Sequence, residues 1–320
     1  MYNKPYRFVI VSPRQHKGGS IVLHSLCKQL DNMGYDSSIF YIGDSNYRKG
    51  NRCKFWVNYI AYIIKDTFKL CAVRFFAKNA FINHDFFSGY VNLTVHGCKR
   101  HYIPVVGKNT IVIYPEVVYG NFLHAKKVVR WLLYYNKYRT GDYNKKDLFI
   151  CYRPEFNDKE LNPLYNAVKC PYFNLDLYRR TNYGVRNGTC YIIRKGKNRL
   201  DLPSKYDGII IDNLSELEIV NVFNKCEICI SYDTQTAYTS IAALCGCTSV
   251  VIPEVGKTAD YYRREDPMYG IAYGFEHSEL DYAKHTQHLV FEKFKKVNEE
   301  CEKNAETFFR LCVDYFSEDK

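Results

Sequence analysis

Long apolar runs are missing from this chain. The apolar, charge-free stretch near Phe55–Ile64 falls far short of the roughly 18 residues a membrane span needs, which argues against a transmembrane helix. No secretory leader is visible, because Lys4 and Arg7 run straight into a short strand. The full glycine fingerprint of dinucleotide-binding folds is absent, and no recognised nucleic-acid motif occurs. Tryptophan is scarce, with 2 residues against 30 tyrosines. The 13 cysteines are odd in number and scattered over 320 residues, a pattern of reduced thiols and not of a disulfide framework. These absences lead to the expectation of a soluble, cytoplasmic protein, and the 47% hydrophobic content suffices for a sizeable core.

Charge is unevenly placed. Residues 1–155 hold 24 Lys and Arg against 9 Asp and Glu, whereas residues 156–320 hold 21 against 25. A basic half fits an anionic partner such as a membrane surface, a nucleic acid or a charged polymer; a solvated basic surface is the plainer account. Residues 54–82 mix Lys and Arg with Trp, Tyr and Phe. They read either as an interfacial membrane-docking helix or as a core helix with snorkelling lysines.

Strand and helix signals alternate along both halves. The first half opens with a strand at Tyr6–Ser12, a loop ending in Gly18-Gly19, a helix from Ser20 to Met33 stopped by Gly34, and a strand at Ser38–Ile42. The glycine pair lets backbone approach a ligand, and Ser20 is placed to cap the helix. Further strands are expected at Val91–Val95, Thr110–Tyr114 and Lys145–Tyr152, with a helix at Leu123–Tyr135. Arg153–Pro171, with three prolines, reads as the connection between domains 1–155 and 156–320. The second half gives strands at Thr189–Ile193, Gly208–Ile211, Ile228–Ser231 and Ser249–Ile252, and helices at Ser215–Asn224 and Thr236–Leu244. Ser215 and Glu218 form a capping-box pattern. The tail, Leu280–Phe316, reads as one long amphipathic helix with room for a kink, its apolar residues from Phe291 to Tyr315 stepping by three and four. The fold class is therefore α/β, with two Rossmann-like domains and a long C-terminal helix.

The most informative stretch is residues 226–254. A short apolar strand meets a polar turn, Tyr232, Asp233, Thr234 and Gln235, just before a helix opening at Thr236. Backbone N–H groups at such a junction attract phosphate, and open α/β sheets bind ligands at this edge. Arg194, Lys195 and Lys197 follow another apolar strand and would reach the same edge, giving cations for a diphosphate. A basic turn and a capped helix without a ligand account for the same residues. Cys226-x-x-Cys229 and Cys245-x-Cys247 have zinc-like spacing, but packed core thiols suit their apolar setting better.

Three of these stretches resemble bacterial glycosyltransferases of the GT-B fold, of the type that builds surface polysaccharide. They are Ile113–Leu133, Ile193–Lys197, and the run from Ser231 through Gly246 to Val250–Pro253; with Gly18-Gly19 they touch both halves. The resemblance implies two facing domains with a cleft between them. It implies transfer of a sugar from a nucleotide diphosphate sugar to a glycan or lipid-linked acceptor, as in lipopolysaccharide or capsule synthesis, at the inner membrane face. It places Arg194, Lys195 and Lys197 on the donor diphosphate, with Tyr232, Asp233, Thr234, Gln235 and Thr236 beside it, and Gly18 and Gly19 lining the cleft. No cofactor is implied, and no metal; Asp-x-Asp does not occur in the chain.

One departure matters. Retaining members carry paired glutamates eight positions apart; here Asp233 stands for the first and Ile241 occupies the second. Glu254 is the candidate substitute. An inverting reaction needs a base, for which His96 is preferred over His16, Asp85 and Glu116, although a packed or capping histidine is the simpler account of His96. The rival readings are a nucleotide-sugar epimerase of the same fold, a non-catalytic glycan-binding protein, and a nucleic-acid binder built on the basic half.

Overall fold

The computed structural model describes residues 6–13, 18–42, 52–76, 98–99, 101, 103–134, 143–264 and 266–317; within 52–76, side chains are described for 53–64 and for 68. The chain divides into two units, Met1–Tyr172 with Val297–Lys320, and Phe173–Lys296. Each is an α/β unit built on a parallel sheet, the class expected from the sequence.

In the first unit, β1 (Arg7–Ser12), β2 (Asp36–Tyr41), β3 (Thr110–Pro115), β4 (Lys127–Leu132) and β5 (Leu148–Cys151) form a sheet of order β2-β1-β3-β4-β5, with every pair parallel. The strands are almost wholly buried, because side chains alternate between two covered faces. Phe8 and Ile10 point into a core with Leu23 and Leu26 of α1 (Gly18–Asn32), while Val9 and Val11 point into a second core with Phe55 and Tyr59 of α2 (Arg52–Phe76). The first core also takes Cys301, Ala305, Phe308 and Cys312 from the terminal helix.

The helix expected at Leu123–Tyr135 is a strand, β4. Valine and tryptophan favour the pleated, buried site, and Arg130 is satisfied there. Its guanidinium lies 1% exposed, 2.8 Å from Asp147, and also donates to the carbonyls of Val118 and Gly120. The crossover from β3 to β4 is made of turns, held by Asn121 bonding to both Ala125 backbone groups. Ser20 lies inside the first turn of α1, its hydroxyl on the Pro13 carbonyl, so it is not the N-cap. The expected strand Val91–Val95 lies outside the described residues.

In the second unit, β6 (Thr189–Ile192), β7 (Ile209–Ile210), β8 (Ile228–Ser231), β9 (Thr248–Val251) and β10 (Ile271–Tyr273) give the order β10-β9-β8-β6-β7, again parallel. Helix α3 (Glu216–Lys225) opens on the expected capping box, Ser215 with Glu218. With α4 (Tyr238–Leu244) it covers one face through Ile219, Phe223, Ile241 and Ala242. Strand β10 and the short α5 (Ala259–Arg263) were not read from the sequence. The tail is two helices, α6 (His277–Thr286) and α7 (Leu289–Ser317). At their junction Thr286 accepts the Gly270 N–H and donates back to Tyr282, while Gln287 reaches the Cys247 carbonyl. Phe294, Cys301, Ala305, Phe308 and Cys312 are buried as the periodicity predicts, but Phe291 is 43% and Tyr315 39% exposed.

Candidate functional site

Strand order locates the site. The chain enters the second sheet at β6, places β7 on one side of it and β8 on the other. That reversal opens a crevice at the carboxyl ends of β6 and β8, where doubly wound sheets take ligands. Two segments leave the sheet there: a 3-10 turn, Arg194–Asn198, after β6, and the stretch 232–237 after β8. The sequence-predicted residues Arg194, Lys195, Lys197, Tyr232, Asp233, Thr234, Gln235 and Thr236 are thus all at one sheet edge. Glu254 joins them from the loop after β9.

These segments touch through backbone. Gly196 is buried against Tyr232, where a Cβ would overlap the Tyr232 carbonyl, so only glycine allows the approach. Asp233, 2% exposed, accepts the N–H groups of Gln235 at 2.9 Å and Lys195 at 3.4 Å. It therefore ties the two segments together. Lys195 Nζ donates to the Gln235 carbonyl at 3.3 Å. Thr234 donates to Glu254 at 3.1 Å, and Lys257 lies 2.5 Å from the same carboxylate. Lys257 and Thr234 hold the Glu254 carboxyl below its ordinary pKa, so it is an anion at neutral pH. Lys195, Lys197 and Gln235 are exposed at the rim.

Arg194 has an unusual backbone, with φ at +37° in a residue that is not glycine. Asp212 holds it there, accepting the Ile193 N–H at 3.1 Å and the Arg194 N–H at 2.6 Å. Such strain persists only where the surroundings over-determine it, and it collects at functional sites. The guanidinium lies 4.1 Å from the centre of the Tyr238 ring. Its Nε–H is buried with no hydrogen-bond partner in the structure.

Arg199 was missed by sequence reading. It donates to the carbonyls of Tyr232, Ile252 and Pro253 and pairs with Asp201 at 2.5 Å, fastening the ends of β8 and β9 to the turn after β6. Asp212 and Glu216 were missed too. Their only sequence signal was a carboxylate at or just past the end of a strand, or at the start of a helix. Helix α4 is two turns long; its N-cap, Ala237, offers no side chain to the backbone, and the Thr236 hydroxyl accepts the Tyr238 N–H at 3.3 Å.

Gly18 and Gly19 form the first turn of α1 in the other unit, after β1, at that sheet's own strand reversal between β1 and β3. A Cβ on Gly18 would meet nothing within 4 Å, and one on Gly19 would touch Leu133 at 3.6 Å. His96, His16 and Asp85 lie outside the described residues. Glu116 is 4% exposed, and its carboxylate accepts the Leu133 N–H at 2.9 Å. Cys226, Cys229, Cys245 and Cys247 are core residues, and the Cys247 thiol lies 3.1 Å from the carbonyls of both Phe223 and Cys226. Among the described residues, no group of three or more His, Cys, Asp or Glu is arranged to hold a metal ion.

Compared by sequence, the chain matches no protein-family model and no curated protein. By structure it is similar to the glycosyltransferase SnogD from Streptomyces nogalater, with TM-score 0.38 and 10% identity over 97% of this chain and 99% of that one. It is similar to the glycotransferase of kitacinnamycin, with TM-score 0.38 and 8% identity over 97% and 98%. A third likeness is to a Listeria monocytogenes structure assigned as a UDP-N-acetylglucosamine 2-epimerase, with TM-score 0.35 and 10% identity over 98% and 97%. Likenesses this loose do not assign an activity.

The Arg199 fork gives a direct prediction. Arg199→Ala leaves three carbonyls to water or to nothing and lowers unfolding stability by about 2–3 kcal/mol. Arg199→Lys recovers less than half of that, because an ammonium lacks the planar fork. Urea unfolding followed by circular dichroism reads both values.

Proposed function

We propose that this protein is a GT-B-type glycosyltransferase that binds a nucleotide diphosphate sugar at the carboxyl edge of its second sheet. The observation that carries the reading is the gathering of Arg194, Lys195 and Lys197 with segment 232–237 at the strand reversal beside β6. A leaving nucleoside diphosphate develops negative charge as the sugar departs. Fixed cations at that position stabilise it more in the transition state than in the ground state. Thr234 and Thr236 add hydroxyls, and Glu254, kept anionic by Lys257, is placed to accept hydrogen bonds from a sugar or ribose hydroxyl. The acceptor is proposed to be a glycan or a lipid-linked glycan of a bacterial surface polysaccharide.

The membrane part of the proposal rests on α2. Val57, Ile60, Ile64 and Phe68 step by three and four along one helical face and are 51–72% exposed. With the basic excess of residues 1–155, that face suits peripheral contact with an anionic bilayer at the cytoplasmic side. No described helix is long and apolar enough to cross a membrane.

A calorimetric and thermal-shift panel of UDP, GDP, CMP and dTDP tests the donor site. One of them binds the wild type, and Arg194→Ala with Lys195→Ala weakens it about 10- to 100-fold. Absence of binding by all four to folded protein overturns the reading. Conversion of a nucleotide sugar without acceptor moves it to an epimerase. In vesicle flotation, binding rises with the fraction of anionic lipid and drops in Ile60→Ser with Phe68→Ser; flotation insensitive to both removes the membrane contact.

A further inference from the structure

The pose of Arg194 has a cause outside the edge loops. Tyr238, 8% exposed, sits in the first turn of α4 under the Arg194 guanidinium. Its hydroxyl donates to Glu216 at 2.7 Å, and Glu216, 6% exposed, takes a second hydroxyl from Tyr178, which is fully buried. The two rings thus hold one carboxylate between them, and the carboxylate fixes the plane of the Tyr238 ring.

We infer that Tyr178, Glu216 and Tyr238 are positioning residues that preset Arg194 as an anion ligand, with Tyr238 as the platform for its guanidinium. The inference rests on the donor-site reading above and adds the reason why Arg194 is effective in it. Three observations converge. The Asp212 carboxylate pins the backbone of Arg194 in the left-handed region, so its side chain starts from a fixed direction. The ring face of Tyr238 then holds the guanidinium by a cation–π contact at 4.1 Å. A hydroxyl donating to a carboxylate makes its ring more electron-rich, which strengthens that contact. Burial raises the pKa values of both tyrosines well above the ordinary range, and the Glu216 charge adds to it, so both remain hydroxyl donors at any working pH.

The buried Nε–H of Arg194 has no acceptor in the structure, as is true of Arg186 and Arg263. Lys195 and Lys197 stand one and three residues on, exposed at the same turn. An oxygen of a diphosphate is the ligand chemistry that suits a guanidinium with lysines beside it. Because Arg194 is already oriented, binding loses little side-chain entropy.

Calorimetry with inorganic pyrophosphate, alongside the nucleotide panel, tests this. Tyr238→Leu removes the platform and weakens pyrophosphate about tenfold, as Arg194→Ala does. The double variant is no weaker than Arg194→Ala alone, and Tyr238→Phe, which keeps the ring, recovers most of the loss. Glu216→Gln weakens binding about threefold in the wild type and has no effect beside Arg194→Ala; this pair decides the matter if Tyr238→Leu does not fold. Additive losses, or a full-strength Tyr238→Leu, overturn the platform while leaving the donor site standing. Wild type that binds neither pyrophosphate nor any nucleotide overturns both.

Discussion

Three segments leave the second sheet at one end, and the carbonyls of two of them converge on a guanidinium carried by the third. Arg199 supplies the donors for Tyr232, Ile252 and Pro253, and Asp201 balances its charge. Without that fork, the turn after β6 and the ends of β8 and β9 would present unpaired acceptors to one another in a half-buried space. With it, the loops carrying residues 194–197, 232–236 and Glu254 are held in one arrangement. Gly196 and Asp233 act on the same junction, the glycine by allowing the backbones to meet and the aspartate by bridging them. The edge is therefore prebuilt, with Lys195 and Lys197 exposed at its rim.

Two kinds of charge are kept apart in this unit. Arg199 and Arg263 are consumed by structure: the first by carbonyls, the second by a two-pronged pair with Glu279 and by the Ile271 carbonyl. Arg194 is different. Its backbone is strained and held there by Asp212, and its guanidinium lies 4.1 Å from the centre of the Tyr238 ring. Strain of this kind costs of order 1–3 kcal/mol. A protein that only needed a stable turn would place a glycine or asparagine there.

Local signals carried most of the framework. Alternating apolar strands and capped helices announced two α/β halves, and the Ser215–Glu218 box marked the start of α3 within a residue. The edge residues were legible because they sit in short contiguous runs, 194–197 and 232–236, each just past an apolar strand. What failed depended on partners distant in sequence. Segment 123–135 has helical spacing, yet Arg130 is buried as a strand residue because Asp147 and two turn carbonyls receive it. The tail breaks at Gln287 because Gly270 and Cys247 bond there. Arg199, Asp212 and Glu216 act on residues 18 to 54 positions away, and no local pattern announces that. Ile241, where the resembled retaining enzymes carry a carboxylate, is a core residue of α4, while Glu254 stands at the edge beside Asp212 and Asp233.

The central proposal is that a nucleoside diphosphate seats on the turn after β6. Hydrogen–deuterium exchange, with and without a saturating nucleoside diphosphate, addresses it without assuming an acceptor or a sugar. Protection is expected at residues 193–199, 232–237 and 252–257, with the amides of the first unit's β2 unchanged. Protection confined to other segments, or none at a concentration where calorimetry shows binding, would contradict it.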